Sequence, residues 1–257
     1  MGEISYFPDY ACVGFPKCAT SFILEKVFID AGLITFGNKE INIFTLTNYQ
    51  ADIQLAKSEG KCVGIKSPVM IYEKGSVECL LKSGCKIIVC VRYPVQWLKS
   101  FYNFRLYRIE NGKRVPPGNS ARIPQFNEIL NNKERWWGVS IDRGRMSKWI
   151  RRNVLQSPHY RRENVHWVVQ ETFEHDYRET YARLMEFLSI ERSTLDLDKL
   201  PATYSKKNRY PCFDDDQYDQ QLFDIYRGEL RKMCKLFEEH MGIDLKSIWE
   251  EFYSIKI

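Results

Sequence analysis

Lys17, Thr20 and Ser21 follow a short apolar run, Ala11, Cys12 and Val13, that ends in Gly14. A turn with Pro16 and Lys17 leads through Cys18 and Ala19 to the Thr20-Ser21 pair, and beyond it Phe22, Ile23, Leu24, Val27 and Phe28 recur at helical spacing. Strand, short loop, helix start: this order aims backbone N–H groups and a helix N-terminus at an anion, and a lysine adds a mobile positive charge. The first chemistry the chain offers is the holding of a phosphate-sized group.

The loop is not a Walker A loop, in which lysine directly precedes the hydroxyl residue. Here Lys17 stands three residues before Thr20, with no glycine directly before it. A nucleotide triphosphatase also needs a carboxylate for magnesium on a later strand. The later apolar run, residues 86–91, ends instead in Arg92, followed by Tyr93, Pro94 and, in the next helix, Ser100.

These two segments together resemble the PAPS-dependent sulfotransferases, whose donor is 3′-phosphoadenosine-5′-phosphosulfate. That family opens with a strand, a loop with a mid-loop lysine or arginine, and Thr/Ser at the start of a helix. Its second motif is a strand ending in arginine with a serine in the following helix. The resemblance implies that Pro16, Lys17, Cys18, Ala19, Thr20 and Ser21 cradle the 5′-phosphate and that Arg92 and Ser100 hold the 3′-phosphate. Residues 38–44 look like the segment that carries a glutamate base in the carbohydrate (heparan-type) branch, which puts Glu40 in that role. Lys66-Ser67-Pro68 looks like the branch's K-[ST]-P segment, with Lys66 in the active site. Lys206, Lys207, Asn208 and Arg209 fall where the family has a basic loop over the nucleotide, which implies Lys207 and Arg209 as further donor ligands. Residues 147–150 and 163–169 resemble its late helix-strand unit, and residues 218–251 its C-terminal helices.

Two departures stand out. Many members have glycine where this chain has Ala19, which predicts a less tight or simply helical loop there. The cysteine pair usual before the basic loop in Golgi enzymes is missing, with only Cys212 beyond it. Residues 1–10 lack the pattern of a signal peptide and no run has the length of a transmembrane helix, so the expectation is a cytoplasmic protein. Eight cysteines without C-x-x-C spacing point away from a metal site, and Cys12 and Cys90, within apolar runs, read as buried thiols.

The chain has 257 residues, 44% hydrophobic, enough for one domain, 1–257, with a proper core. Its net charge of +5 suits an anionic cosubstrate and does not by itself imply nucleic acid. Strands are expected near 10–14, 61–65, 86–91 and 165–169. Helices are expected near 19–31, 49–58, 74–83, 94–107, 123–133, 142–155, 172–189, 217–239 and 244–252. This alternation is that of an α/β protein, P-loop-like, three layers with a central, mostly parallel sheet. Residues 110–123, rich in glycine, proline and asparagine, read as an exposed loop.

Sulfuryl transfer depends on in-line positioning and charge stabilisation, by analogy with phosphoryl transfer. Three tasks follow: Lys17 neutralises the leaving 5′-phosphate, Glu40 takes the acceptor's proton, and Lys66 holds the reacting oxygens. The transferred group carries less charge than a phosphoryl group, so no metal is demanded. None of His159, His166, His175 and His240 precedes Arg92, so the histidine base of the phenol- and steroid-sulfating branch is not available.

Each residue also has a plain reading. Lys17 fits an exposed turn, Arg92 a strand-end salt bridge, Ser100 an ordinary helix position, Glu40 a solvated loop or cap, and Lys66 a turn. Trp136, Trp137 and Trp149 fit a core better than an acceptor cleft. Arg151, Arg152, Arg161 and Arg162 fit a solvated face better than a site for an anionic glycan. Two function classes result. The first is a sulfotransferase moving a sulfuryl group to a hydroxyl or amine, of a small molecule rather than a sugar, with no nucleic acid or membrane partner. The alternative is a P-loop kinase-like or catalytically inactive nucleotide-binding protein.

Overall fold

A computed structural model describes residues 5–37, 40–112, 125–131, 139–200 and 216–257. The chain divides into two compact units, Met1–Val91 with Trp149–Ser205, and Arg92–Lys148 with Lys206–Ile257.

The first unit holds the sheet. Strands β1 (Tyr10–Gly14), β2 (Gly64–Lys66), β3 (Lys86–Val91) and β4 (Val165–Val169) are all parallel, in the order β2-β1-β3-β4. β1 and β2 are buried throughout, and β3 and β4 at all but one residue each. Strands buried on both faces require helices on both sides, which the α/β architecture supplies. The helix after β1 starts at Thr20–Phe22 (α1) and runs on as a π-helical stretch, Ile23–Phe28. Phe22 fixes it through edge-on contacts with Phe173 at 5.0 Å and Tyr177 at 5.8 Å.

Two expected elements differ from the sequence reading. β2 begins later than residue 61, because the Lys61 amide still donates to the Ala56 carbonyl at the end of α2 (Gln50–Ser58). The ladder with β1 therefore pairs Tyr10 with Gly64 and ends at Lys66 opposite Cys12. The single helix expected near 172–189 is two, α7 (Gln170–His175) and α8 (Tyr177–Phe187). They break at Asp176, whose carboxylate accepts the Glu179 amide at 3.3 Å and so caps the second helix.

The second unit is helical. α4 (Pro94–Glu110) starts with proline in its first turn, where the missing N–H costs nothing. Of the helix expected near 123–133, the described part is Phe126–Leu130 (α5). The stretch α6 (Met146–Ile150) begins in this unit, and the buried Glu229 accepts both the Ser147 amide, at 2.6 Å, and its hydroxyl, at 2.8 Å. Glu229 belongs to the long α9 (Asp219–Met241), as does Tyr226, which donates to the Ile141 carbonyl. Burial pushes the Glu229 carboxyl above its usual range, and the two Ser147 bonds pull it part of the way back. The chain ends with α10 (Leu245–Tyr253), capped by Asp244. Among the described residues no helix is long and apolar enough to cross a membrane.

Gly64 opens β2 where a Cβ would meet Phe28 at 2.7 Å and Leu33 at 3.0 Å. Neither neighbour has room, since Phe28 is fully buried and Leu33 nearly so. Gly64→Ala is expected to destabilise the protein by about 1–3 kcal/mol, read as a lower urea midpoint. An unchanged midpoint would show that the packing beneath β2 is looser than described.

Candidate active site

In the β2-β1-β3-β4 order the chain leaves β1 for one neighbour and then crosses to the other. Open parallel sheets bind ligands outside the carboxyl ends of the strands, where the order reverses. That rule points to the loop after β1, the segment carrying Lys17.

The loop is built by three constraints. The register between β1 and β3 slips between Cys12 and Gly14, a bulge that turns the chain out of the sheet. Phe15 then donates its amide to the Cys90 carbonyl at 2.7 Å and buries its ring edge-on against Tyr72 at 5.6 Å. Tyr72 is braced in turn by Trp149 at 5.3 Å, so Trp149 supports the loop from behind. Finally Lys17 and Ala19 both adopt left-handed backbone, with φ of 68° and 61°, and Cys18 between them is buried. Ala19 therefore takes the conformation a glycine would, rather than the looser or helical one expected.

Past Ala19, Thr20 is buried and Ser21 half-buried. No side chain caps the helix at Ala19; the Phe22 amide donates to the Ala19 carbonyl at 2.9 Å, and the Cys18 amide donates back to the Phe15 carbonyl at 3.2 Å. Beneath lie Cys12 and Cys90, with sulfurs 3.9 Å apart, and burial pushes the Cys90 thiol well above its usual range. They are packing groups, as read from the sequence.

Beside the loop, β2 ends in Lys66, whose side chain is buried to 7% exposure. Its Nζ lies 3.9 Å from the Glu40 carboxylate, which is 53% exposed. The Ile41 amide donates to the Lys66 carbonyl at 3.0 Å, and Asn42 Oδ1 accepts the amides of Phe44 and Thr45, so the segment after Glu40 is tied to β2. Glu40 and Lys66 are thus brought together in this unit, which also carries the loop from Pro16 to Ser21.

Ser67, next along, was not singled out by sequence reasoning. Its amide donates to the Cys12 carbonyl, while its buried hydroxyl has no hydrogen-bond partner among the described residues. The signal was present in the K-S-P segment, but only burial separates this hydroxyl from an ordinary turn serine.

Arg92 and Ser100 belong to the second unit. Arg92 directly follows β3; its Nε is buried with no hydrogen-bond partner among the described residues. An orphaned guanidinium N–H is a donor that fits an anionic oxygen. Ser100 is half-buried in α4. Lys207 and Arg209 lie outside the described residues, as do Lys39, Trp136, Trp137, Lys206, Asn208 and Cys212. Arg151, Arg152, Arg161 and Arg162 are exposed. His166 packs on Phe187 at 5.1 Å, and burial brings its pKa down to about 4, so it stays neutral within the sheet.

Left-handed backbone costs an alanine about 1–2 kcal/mol, while glycine at the same place loses about 0.4–1 kcal/mol through its freer unfolded chain. The strain term is larger. Ala19→Gly is therefore expected to raise the melting temperature by a few degrees, about 0.5–1 kcal/mol. A lower melting temperature would mean that the turn is not left-handed.

No protein-family model matches the chain, and no curated protein does. Solved structures do. A sulfotransferase from Alicyclobacillus acidocaldarius superposes with a TM-score of 0.63 at 16% identity, over 94% of this chain and 98% of that one. The mouse sulfotransferase SULT7A1, complexed with PAP, gives 0.51 at 16% identity, over 96% and 89%. At this identity the likeness concerns architecture: the chain has the fold of these sulfotransferases.

Proposed function

We propose that the chain, acting as a single domain over 1–257, is a PAPS-dependent sulfotransferase (EC 2.8.2 type). The observation that carries this reading is the left-handed, lysine-bearing turn after β1 beside the buried Lys66 and its exposed partner Glu40. The fold likeness supports it, and SULT7A1, of the same architecture, was solved with PAP. The orphaned Arg92 Nε–H fits a phosphate oxygen, and the uncapped helix start after Ala19 fits another.

When bound, PAPS supplies a sulfuryl group on a phosphate leaving group. The chain's residues do the rest. Lys17 and the amides of Ala19, Thr20 and Ser21, with the Thr20 and Ser21 hydroxyls, and with Pro16 and the Cys18 amide bonded to Phe15 shaping the turn, balance the charge that grows on the 5′-phosphate as the S–O bond to it breaks. Glu40 accepts the proton of the acceptor hydroxyl or amine as its oxygen or nitrogen bonds to sulfur. Lys66, held beneath Glu40, fixes the reacting oxygens. Arg92 and Ser100 take the 3′-phosphate, with Lys207 and Arg209 over the nucleotide. The acceptor is a small molecule rather than a glycan, the enzyme is cytoplasmic, and the transfer calls for no metal.

The test is ligand-induced stabilisation. 3′-Phosphoadenosine 5′-phosphate (PAP) at a hundred times its Kd stabilises by about 2.7 kcal/mol, several degrees in a melt. ATP with magnesium is expected to do little. The reverse ranking would favour a kinase-like enzyme. Arg92→Ala is expected to weaken PAP at least tenfold while leaving adenosine 5′-phosphate unchanged, since a charge-assisted bond contributes about 1.5–3 kcal/mol. Equal losses for both would remove Arg92 from the 3′-phosphate.

Turnover probes the base separately. Glu40→Gln is expected to abolish transfer from labelled PAPS to an acceptor found in cell extract, while PAP affinity stays within about twofold, as for a group acting in the transition state alone. Retained turnover would assign the proton to another group.

A further inference from the structure

Lys99 is buried in α4, and the chemistry above does not use it. Its side chain is 4% exposed, and its ammonium donates to Asp219 Oδ1 at 2.9 Å. A buried ion pair is weak support for stability, because apolar residues of similar volume often do as well. What such a pair does supply is direction. Asp219 is the first residue of α9, where its carboxylate also meets the positive end of that helix.

A second tether runs parallel to the first. Tyr102, three residues after Lys99, packs edge-on against Phe126 at 5.0 Å, and Phe126 against Tyr218 at 5.4 Å. Tyr218 directly precedes Asp219, so two consecutive residues at the start of α9 hold α4 at two points one turn apart. Ring contacts tolerate sliding. A buried ammonium tolerates loss of its carboxylate badly, because breaking such a pair leaves a charge with little water. Ser100 is the next residue along α4, about 100° further round the helix. Any rotation that loosened Lys99 from Asp219 would swing the Ser100 hydroxyl through the same angle.

We propose that Lys99, paired with Asp219, is a positioning residue that locks the rotation of α4 so that the Ser100 hydroxyl faces the donor's 3′-phosphate. The inference rests on the role given above to Ser100. Lys99 does not touch the nucleotide; it acts through Ser100.

Calorimetric titration with PAP and with adenosine 5′-phosphate gives the affinity ratio between the two nucleotides. Lys99→Met keeps the volume and leaves Asp219, which is 39% exposed, open to water. It is expected to lower the ratio about tenfold, as Ser100→Ala does, with adenosine 5′-phosphate binding unchanged. The double variant is expected to lose no more than Ser100→Ala alone, the non-additivity of two residues acting through one contact. Lys99→Arg, which keeps the charge but brings a bulkier, planar group into a buried place, is expected to recover part of the ratio lost in Lys99→Met. A wild-type ratio in Lys99→Met overturns the inference. So does an additive double variant, since Lys99 would then act on the phosphate itself. A wild-type protein without preference for PAP instead overturns the donor reading, a separate failure. If circular dichroism shows Lys99→Met unfolded, Asp219→Glu carries the test. It lengthens the pair by one methylene and is expected to lower the ratio about threefold, and an unchanged ratio overturns the inference.

Discussion

The bond from the Phe15 amide to the Cys90 carbonyl is the point on which the site turns. It joins the loop after β1 to β3, 75 residues further on (90 − 15), and it exists only because β1 lies next to β3. With the ring of Phe15 buried against Tyr72 and the register slipped at the bulge, the chain leaves the sheet in one direction. Lys17 and Ala19 then accept left-handed backbone that neither would adopt alone. Strain of this kind persists where the surroundings over-determine it, and it gathers where a backbone must approach a ligand. The order matters: packing fixes Phe15, Phe15 fixes the turn, and the turn fixes where Lys17 and the helix amides point.

How much of this could be read from the sequence depends on how local each cause is. β1, β3 and β4 were legible because a buried parallel strand is a continuous apolar run, and Ala11-Cys12-Val13, Ile87-Ile88-Val89 and Val168-Val169 are such runs. The lysine loop was legible because a turn between such a run and a helix has few other uses. The start of β2 was not, since it depends on the Lys61 amide remaining with α2. The left-handed Ala19 was hidden for another reason: backbone dihedrals of a non-glycine residue leave no mark in its type. The break at Asp176 was readable in principle, as an acid followed three residues later by Glu179 is a capping pattern, but the continuous apolar spacing on both sides masked it.

The site residues divide in the same way. Lys66 is marked by its K-S-P neighbourhood, yet its burial comes from the sheet, which places it at the end of a strand opposite Cys12. Lys99 had no sequence mark and Ser67 only its place in K-S-P, because their interest lies in burial: one is an ammonium paired across two helices, the other a hydroxyl with no partner among the described residues. A polar residue looks the same in a sequence whether it is wet or dry. Only its surroundings turn it from filler into a constraint.

The same distinction bears on the proton. The two partners of the Glu40–Lys66 pair are in unlike environments, with the lysine buried and the carboxylate more than half exposed. Screened on one side and 3.9 Å apart, the pair contributes little to stability. A carboxylate that is hydrated and beside an ammonium is also a poor base. Removing water from its open side raises its affinity for a proton, because the charged form loses its hydration, while the neighbouring ammonium pulls the other way. Under the role proposed for Glu40, an acceptor seated over its exposed side displaces that water, so proton transfer is tied to acceptor binding, and the coupling rests on one exposed carboxylate beside a buried lysine.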